Sequence, residues 1–384
     1  MTKGSIHKAE WSDYGDPVSG AHVRQLTDYL GHSCHLYFTI PGWFDHGRRL
    51  LFASDRENRS NLFGLDLTSG AITQLTDLDK VPGTDEAVLM ASCVSPARNE
   101  AYYRHQQRVF ALDLSTLNAR KLWEIPPGFI GDLMHVSADG KCVLTSIFED
   151  LSDRIRIDYD RGYVGFAETY EARPLSRIIR IAVDGTGADV VREEHQWISH
   201  VNPSPTQPHL VSFCHEGAWV GVDNRIWGLD LNTGEVWKIR PRQSDRERIG
   251  HEYWFHDGLH VGYHGTWPDG RYCIGHLKYD NTDHVEAAFP QATGHTHSHD
   301  GSLIVGDGGK DVRLWRWNGH SYDGPRCLCR HDASQHIQKL HVHPRFTSDG
   351  KQVLYTSSVS GYGNLYVVDV PDFDSLPLIE DRKQ

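Results

Sequence analysis

Short runs in which apolar side chains dominate or alternate with polar ones recur along the whole chain, separated by tight clusters of Asp, Gly, Asn, Ser and Thr. Alternation with period two marks strands, and the polar clusters mark turns. One grammar repeats: an Asp-Gly or equivalent turn, an apolar strand, a second strand ending in Leu-Asp-Leu, a Thr-Gly or Ser-Gly turn and a strand ending in Leu-Thr. The first copy runs from Asp45-His46-Gly47 through Leu50-Leu51-Phe52 and Leu62-Phe63-Gly64-Leu65-Asp66-Leu67 to Ser69-Gly70 and Gln74-Leu75-Thr76. The second opens at Ser95-Pro96-Ala97-Arg98-Asn99 and the third at Ser137-Ala138-Asp139-Gly140. The fourth starts near Asn202-Pro203-Ser204-Pro205 and closes at Leu229-Asp230-Leu231-Asn232-Thr233-Gly234. Three more start at His256-Asp257-Gly258, His299-Asp300-Gly301 and Ser348-Asp349-Gly350.

Seven copies at a spacing of about 50 residues predict an all-β fold, a seven-bladed β-propeller of four-stranded blades. The stretch Ser19-Gly20-Ala21-His22-Val23-Arg24-Gln25-Leu26-Thr27 nearly repeats Ser69-Gly70-Ala71-Ile72-Thr73-Gln74-Leu75-Thr76, the outer strand of the first copy. An outer strand at the N-terminus is expected to complete the last blade, after Val367-Val368-Asp369-Val370, and so to close the ring with no open edge. Residues 1–384 are read as one propeller domain. The segment from Glu149 to Arg173 breaks the repeat, is rich in charge and Tyr, and is expected to project over one face.

Composition narrows the function. A net charge of −12 argues against a nucleic-acid partner, which needs Lys and Arg to neutralise phosphates, and requires a local positive site for any anionic substrate. No apolar window approaches the roughly 18 residues of a membrane span, and Met-Thr-Lys-Gly-Ser-Ile-His-Lys lacks the apolar run of a signal peptide. A soluble, cytoplasmic protein without a membrane partner is expected. The seven cysteines, at 34, 93, 142, 214, 273, 327 and 329, are scattered and odd in number, as reduced core thiols are. No Gly-x-Ser-x-Gly motif and no Gly-rich phosphate loop is visible.

The chemistry lies in histidine, 25 residues of it. In Gln338-Lys339-Leu340-His341-Val342-His343-Pro344 an extended strand would point His341 and His343 to one side, with Gln338 reaching that side from upstream; this is a metal half-site. Gly294-His295-Thr296-His297-Ser298-His299-Asp300 could supply a further ligand. Ser33-Cys34-His35-Leu36-Tyr37-Phe38, Cys214-His215-Glu216-Gly217, Arg225 and Gly250-His251-Glu252-Tyr253-Trp254 place other polar groups near the starts of inner strands. Packing alone favours Val, Leu and Ala in such strands, so these clusters read together as a site on the central channel.

Those segments also carry a resemblance. Cys214-His215-Glu216-Gly217 followed by Arg225-Ile226-Trp227, then His251-Glu252-Tyr253-Trp254, then His295 ahead of Asp300-Gly301-Ser302-Leu303, and Gln338-x-x-His341-x-His343-Pro344, resemble the oligogalacturonate lyases in matching order. The likeness extends from Arg24-Gln25-Leu26-Thr27 to Leu354-Tyr355-Thr356-Ser357. It implies an enzyme, a carbon–oxygen lyase that cleaves short oligogalacturonates, chiefly the dimer, to unsaturated products inside bacteria degrading pectin. It implies a divalent metal, usually Mn2+, on His295, His341, His343 and Gln338, with His251 as base and Arg225 in the active site. His215, His35 and Tyr253 are then expected to touch the small acidic oligosaccharide. The interval from His295 to Asp300 is one residue shorter than the family pattern, which leaves His297 as an alternative third ligand. The charged insertion at 149–173 could alter substrate length or sugar identity if it lies over the pocket.

The residue types suit that chemistry. β-Elimination on a 4-linked uronate removes the C5 proton, which is too weakly acidic unless the adjacent carboxylate is neutralised. A divalent cation does this as a Lewis acid, and an arginine adds a charge-assisted clamp. An imidazole with an ordinary pKa of about 6.5 serves as a neutral base. A lyase for another uronate oligomer and a non-catalytic propeller that reads a protein partner are the alternatives, the latter disfavoured because partner-binding faces are rich in aromatics and Arg rather than metal ligands.

Overall fold

In a computed structural model the described residues are 2–80, 91–95 and 97–379; Pro96 of the second opening turn lies outside them. They form seven antiparallel sheets in chain order around a ring. Blade 1 spans residues 33–74, blade 2 93–124, blade 3 129–195, blade 4 198–240, blade 5 248–288 and blade 6 296–330. Blade 7 is completed from the far end of the chain, because strand His22–Gln25 pairs with Asn364–Asp369, placing Val23 opposite Val368 and Gln25 opposite Tyr366. Ser12–Gly15 extends this sheet, and Ile6–His7 adds to the outer edge of blade 1. The ring therefore closes as the repeated outer-strand sequence predicts.

The recurring turn has a local cause. Asp66 accepts backbone hydrogen bonds from Thr68 and Ser69, and Asp113, Asp230 and Asp16 do the same two and three residues on. Each Asp thus closes its turn with its own side chain. The fifth residue takes a left-handed backbone: Gly20, Gly70 and Gly234 have φ of 74 to 77°, a region open to glycine without steric cost. Blade 2 departs from this, with Leu117 holding φ 61° at the equivalent place.

The core lies between blades. Leu50, Phe52 and Phe63 of blade 1 pack on Leu354, Leu365 and Val367 of blade 7, sealing the junction that closes the ring. Comparable clusters join blades 3 and 4, 4 and 5, 5 and 6, and 6 and 7. All seven cysteines are free, and six are buried. No helix among the described residues is long and apolar enough to cross a membrane.

Three inner strands depart from regular pairing at one end of the channel. Register shifts fall between Gly131 and Met134 in blade 3, Ser199 and Asn202 in blade 4, and Gly250 and Tyr253 in blade 5. The unpaired residues are Asp132-Leu133, His200-Val201 and His251-Glu252. A bulge re-aims a side chain that regular alternation would place elsewhere, and His200 and His251 carry the positive φ such bulges accommodate, 49° and 52°.

Candidate metal centre and active-site cavity

Asp132, His200 and His251, the residues re-aimed by the three bulges, all line one cavity of about 610 Å³. Its other walls come from Tyr37 of blade 1, Glu216 to Trp219 and Arg225 of blade 4, Gln338, and the segment between blade-3 strands. That segment contains the 149–173 insertion, whose Ile157, Tyr159, Tyr163 and Phe166 face the cavity. Its helix Phe166–Ala172 is seated by Tyr170, whose hydroxyl donates to the Gly221 carbonyl. The Tyr170 ring lies where a Cβ on Gly217 would sit, so only glycine permits this approach. Phe166 packs on Trp197 at 4.9 Å between ring centres.

At one end of the site His295, His341 and His343 converge, their candidate ligand atoms within 4.8 Å of one another. His295 Nδ1 lies 2.9 Å from the Asp307 carboxylate, which also accepts the His295 backbone N–H at 2.6 Å. This bond fixes the tautomer and leaves Nε2 as the donor atom. His341 Nδ1 and His343 Nε2 are buried without any hydrogen-bond partner. Burial, reinforced by neighbouring imidazoles, lowers the His341 pKa to about 4 and that of His343 well below 6.5, so both rings are neutral. Three converging imidazoles, two of them with buried unpaired nitrogens, fit a divalent metal, since neutral imidazole suits such ions and an orphaned buried nitrogen is otherwise costly.

The backbone route to this geometry differs from the extended strand expected. Gln338–Leu340 is a 3-10 turn, and His343 has φ 45°. The two histidines converge because the chain turns. Gln338 lies in the cavity wall, and its Oε1 accepts a hydrogen bond from Tyr163 Oη at 3.1 Å. Of the two candidates for the third imidazole, His295 joins the cluster. His297 is buried behind it, stacked on Tyr253 with its Nδ1 accepting from the Phe346 N–H.

His251 lies against this cluster, 4.5 Å from His295 between ring centres. Its Nδ1 is 3.0 Å from His264 Nε2, which also lies 3.0 Å from the Gly294 carbonyl. Burial, then the neighbouring His295 and His264 rings and Arg225, push its pKa well below 6.5. The ring is neutral at ordinary pH.

Arg225 is buried between two carboxylates, with Nη1 2.6 Å from Glu216 and Nε 3.3 Å from Glu252. Glu216 also pairs with His200 Nε2 at 3.2 Å. Burial would raise the Glu216 pKa, but Arg225 and His200 outweigh it and hold the carboxylate ionised; burial would lower His200, and Glu216 outweighs it and raises that group above 6.5. His200, Cys214 and Glu216 also lie close enough together to suggest a second metal site. The chemistry speaks against it: Arg225 already neutralises Glu216, and burial raises the Cys214 thiol well above 9, leaving no thiolate ligand.

Three expected substrate contacts are placed elsewhere. His215 is buried between Asp223 at 2.6 Å and Glu194 at 3.0 Å, away from the cavity. His35 Nε2 donates to the Val342 carbonyl at 3.4 Å and supports the turn between the two ligand histidines. Tyr253, 2% exposed, packs against Phe255 and His297. Each alternates or turns toward the blade interior, a direction that composition near a strand start does not reveal. Sequence reasoning passed over His200 and Trp219. His200 opens blade 4 as His251 opens blade 5, and that equivalence is the signal that could have found it.

The sequence and the fold have close counterparts. A sequence model of the oligogalacturonate lyase family matches residues 1–322. The oligogalacturonide lyase of Pectobacterium atrosepticum is 28% identical over 97% of this chain and 99% of its own, and the oligogalacturonate lyase of Dickeya dadantii is 27% identical with the same coverage. A solved oligogalacturonate lyase in complex with manganese superposes with a TM-score of 0.85 at 26% identity, covering 97% of this chain and 99% of that one. With a seven-bladed ring, a histidine cluster built to take a metal and a family match over most of its length, this chain belongs to the oligogalacturonate lyase family of enzymes.

Proposed function

We propose that this chain cleaves short oligogalacturonates, digalacturonate foremost, by β-elimination in the cytoplasm. A divalent cation, manganese first, would be held by His295, His341, His343 and Gln338. The observation that carries this reading is convergence: three imidazoles gather with their candidate ligand atoms within 4.8 Å of one another, two of them with buried unpaired nitrogens, and His295 lies 4.5 Å between ring centres from His251, which lines the cavity with Arg225. Likeness to a manganese-bound lyase supports the choice of ion.

The cation, when bound, supplies Lewis-acid stabilisation of the charge that develops on the uronate carboxylate as C5 loses its proton. Arg225 adds a fixed positive charge; its two carboxylate partners hold the guanidinium rigid, so little reorganisation accompanies the reaction. His251 takes the C5 proton on a neutral ring that His264 holds in place. His200, whose pKa Glu216 raises, donates a proton to O4 as the bond to the next sugar breaks. From digalacturonate the products are a 4,5-unsaturated uronate and galacturonate; a longer oligomer is shortened by the same step. Tyr159, Phe166 and Trp197 offer flat apolar faces to the sugar and keep water from the reacting centre.

The test is the ultraviolet absorbance of unsaturated uronate on digalacturonate, before and after EDTA and with manganese restored. A metal-dependent rise is expected. No rise with metal bound would refute digalacturonate as substrate. A different uronate oligomer would then be favoured by one observation, the insertion's Tyr159 and Tyr163 in the cavity wall.

A further inference from the structure

The inner strand Arg248–Trp254 separates two cavities rather than bordering one. The second has a volume of about 560 Å³ and shares Trp219, Arg248 and His251 with the first, so the two meet at the proposed base. Its remaining walls include Arg246, Trp267 and Tyr272. Glu247 turns inward to pair with Arg240 at 3.0 Å, while Arg246 in the preceding turn and Arg248 at the start of the strand are both exposed.

The charge pattern is unusual for this molecule. The chain carries −12 overall, and most of its arginines sit against carboxylates. Among the described residues neither Arg246 nor Arg248 has a carboxylate partner, and no acidic side chain lines the second cavity. Trp267 is held flat by a hydrogen bond from its Nε1 to Glu286 at 2.6 Å, and Tyr272 is 44% exposed. Unpaired guanidiniums beside an exposed Tyr272 and a half-buried Trp267, which carries Arg271 over one face at 4.8 Å, match a sugar that carries a carboxylate, with its apolar C–H face for the rings and its charge for the arginines.

We infer that this second cavity is a subsite for one further uronate unit, lying beyond His251 on the side opposite the insertion. The chain then takes a trimer across both cavities. This rests on the reading of the first cavity as the site of uronate cleavage. Arg246 is the residue that distinguishes the subsite, because it lines only the second cavity.

Two measurements test this. Titration calorimetry on metal-loaded His251→Ala, with and without Arg246→Ala, compares digalacturonate with trigalacturonate. The trimer should bind about tenfold more tightly, the size of one solvent-screened charge-assisted hydrogen bond, and Arg246→Ala should remove most of that preference. In the otherwise native enzyme, Arg246→Ala should lower kcat/KM for the trimer several-fold more than for the dimer. Equal binding of the two oligomers, or a trimer preference that survives Arg246→Ala, overturns the subsite. Failure of the lyase reading looks different: no unsaturated product from either oligomer, while the trimer preference in binding stands.

Discussion

Tyr163 of the insertion donates its hydroxyl to Gln338 Oε1 at 3.1 Å, across 175 residues of sequence. The insertion is thereby joined to the turn that carries Gln338, His341 and His343. Gln338 also donates its backbone N–H to the Asp160 carbonyl at 3.2 Å, so the turn is held at two points.

Removing that hydroxyl tests the join. Tyr163→Phe keeps the ring and loses one hydrogen bond to a proposed ligand. Outer partners of metal ligands typically contribute about tenfold or more in affinity. Competition with a chelator should show manganese held roughly tenfold more weakly. Unchanged affinity would separate Gln338 from the ligand set or the insertion from its support.

His251 and the metal cluster are expected to fail differently. His251→Ala removes the proposed base and leaves His295, His341 and His343 in place. It should abolish turnover with metal still bound. His341→Ala should lose both. Metal content by mass spectrometry and product absorbance read the two properties independently, and residual turnover in His251→Ala would remove that residue from the role of base.

Arg225 is a structural liability as well as a proposed clamp. Arg225→Met would leave Glu216 and Glu252 buried without their shared cation. Breaking a buried pair from one side costs about 3 to 5 kcal/mol. Urea denaturation should show a loss of that order. Adding Glu216→Gln and Glu252→Gln should recover much of it, since the uncompensated charges are then gone. If the triple variant is no more stable than the single, packing rather than charge accounts for the loss.

His215 gives a pH signature remote from the metal cluster. Burial alone would lower its pKa, but the hydrogen bonds of Asp223 and Glu194 outweigh this and raise it above 6.5. A raised pKa contributes stability that is fully present below about 6.5 and fades as pH climbs through the folded value. Burial would raise both carboxylates, yet His215 holds Asp223 and Glu194 below 3.8 and 4.5, so their share fades in acid. The melting temperature of His215→Gln should therefore fall further below wild type at about pH 5.5 than at about pH 8.5. An equal deficit at both would show that His215 stands neutral in its pair.

How much was legible in the chain follows from which forces are local. The Leu-Asp-Leu and Ser-Gly repeats reported blades because an Asp closing its own turn and an alternating strand involve residues a few positions apart. The orphan outer strand at 22–25 reported closure because its pattern matches only an outer edge. The histidine-rich starts of several blades reported a site, and His295, His341 and His343 do meet.

Direction was decided by the tertiary structure. Period-two alternation assigned His341 and His343 to one face of a strand, whereas a 3-10 turn and a left-handed residue bring them together. Bulges at His200 and His251 turn toward the channel side chains that regular pairing would aim elsewhere, and packing between blades holds them there. His215, His35 and Tyr253 have the same local credentials as the site residues but face buried partners. The sequence by itself determined the number of blades, the closure of the ring and the supply of metal-binding side chains. Which of those side chains share the cavity depended on contacts between residues as far as 307 positions apart, and no local pattern encodes them.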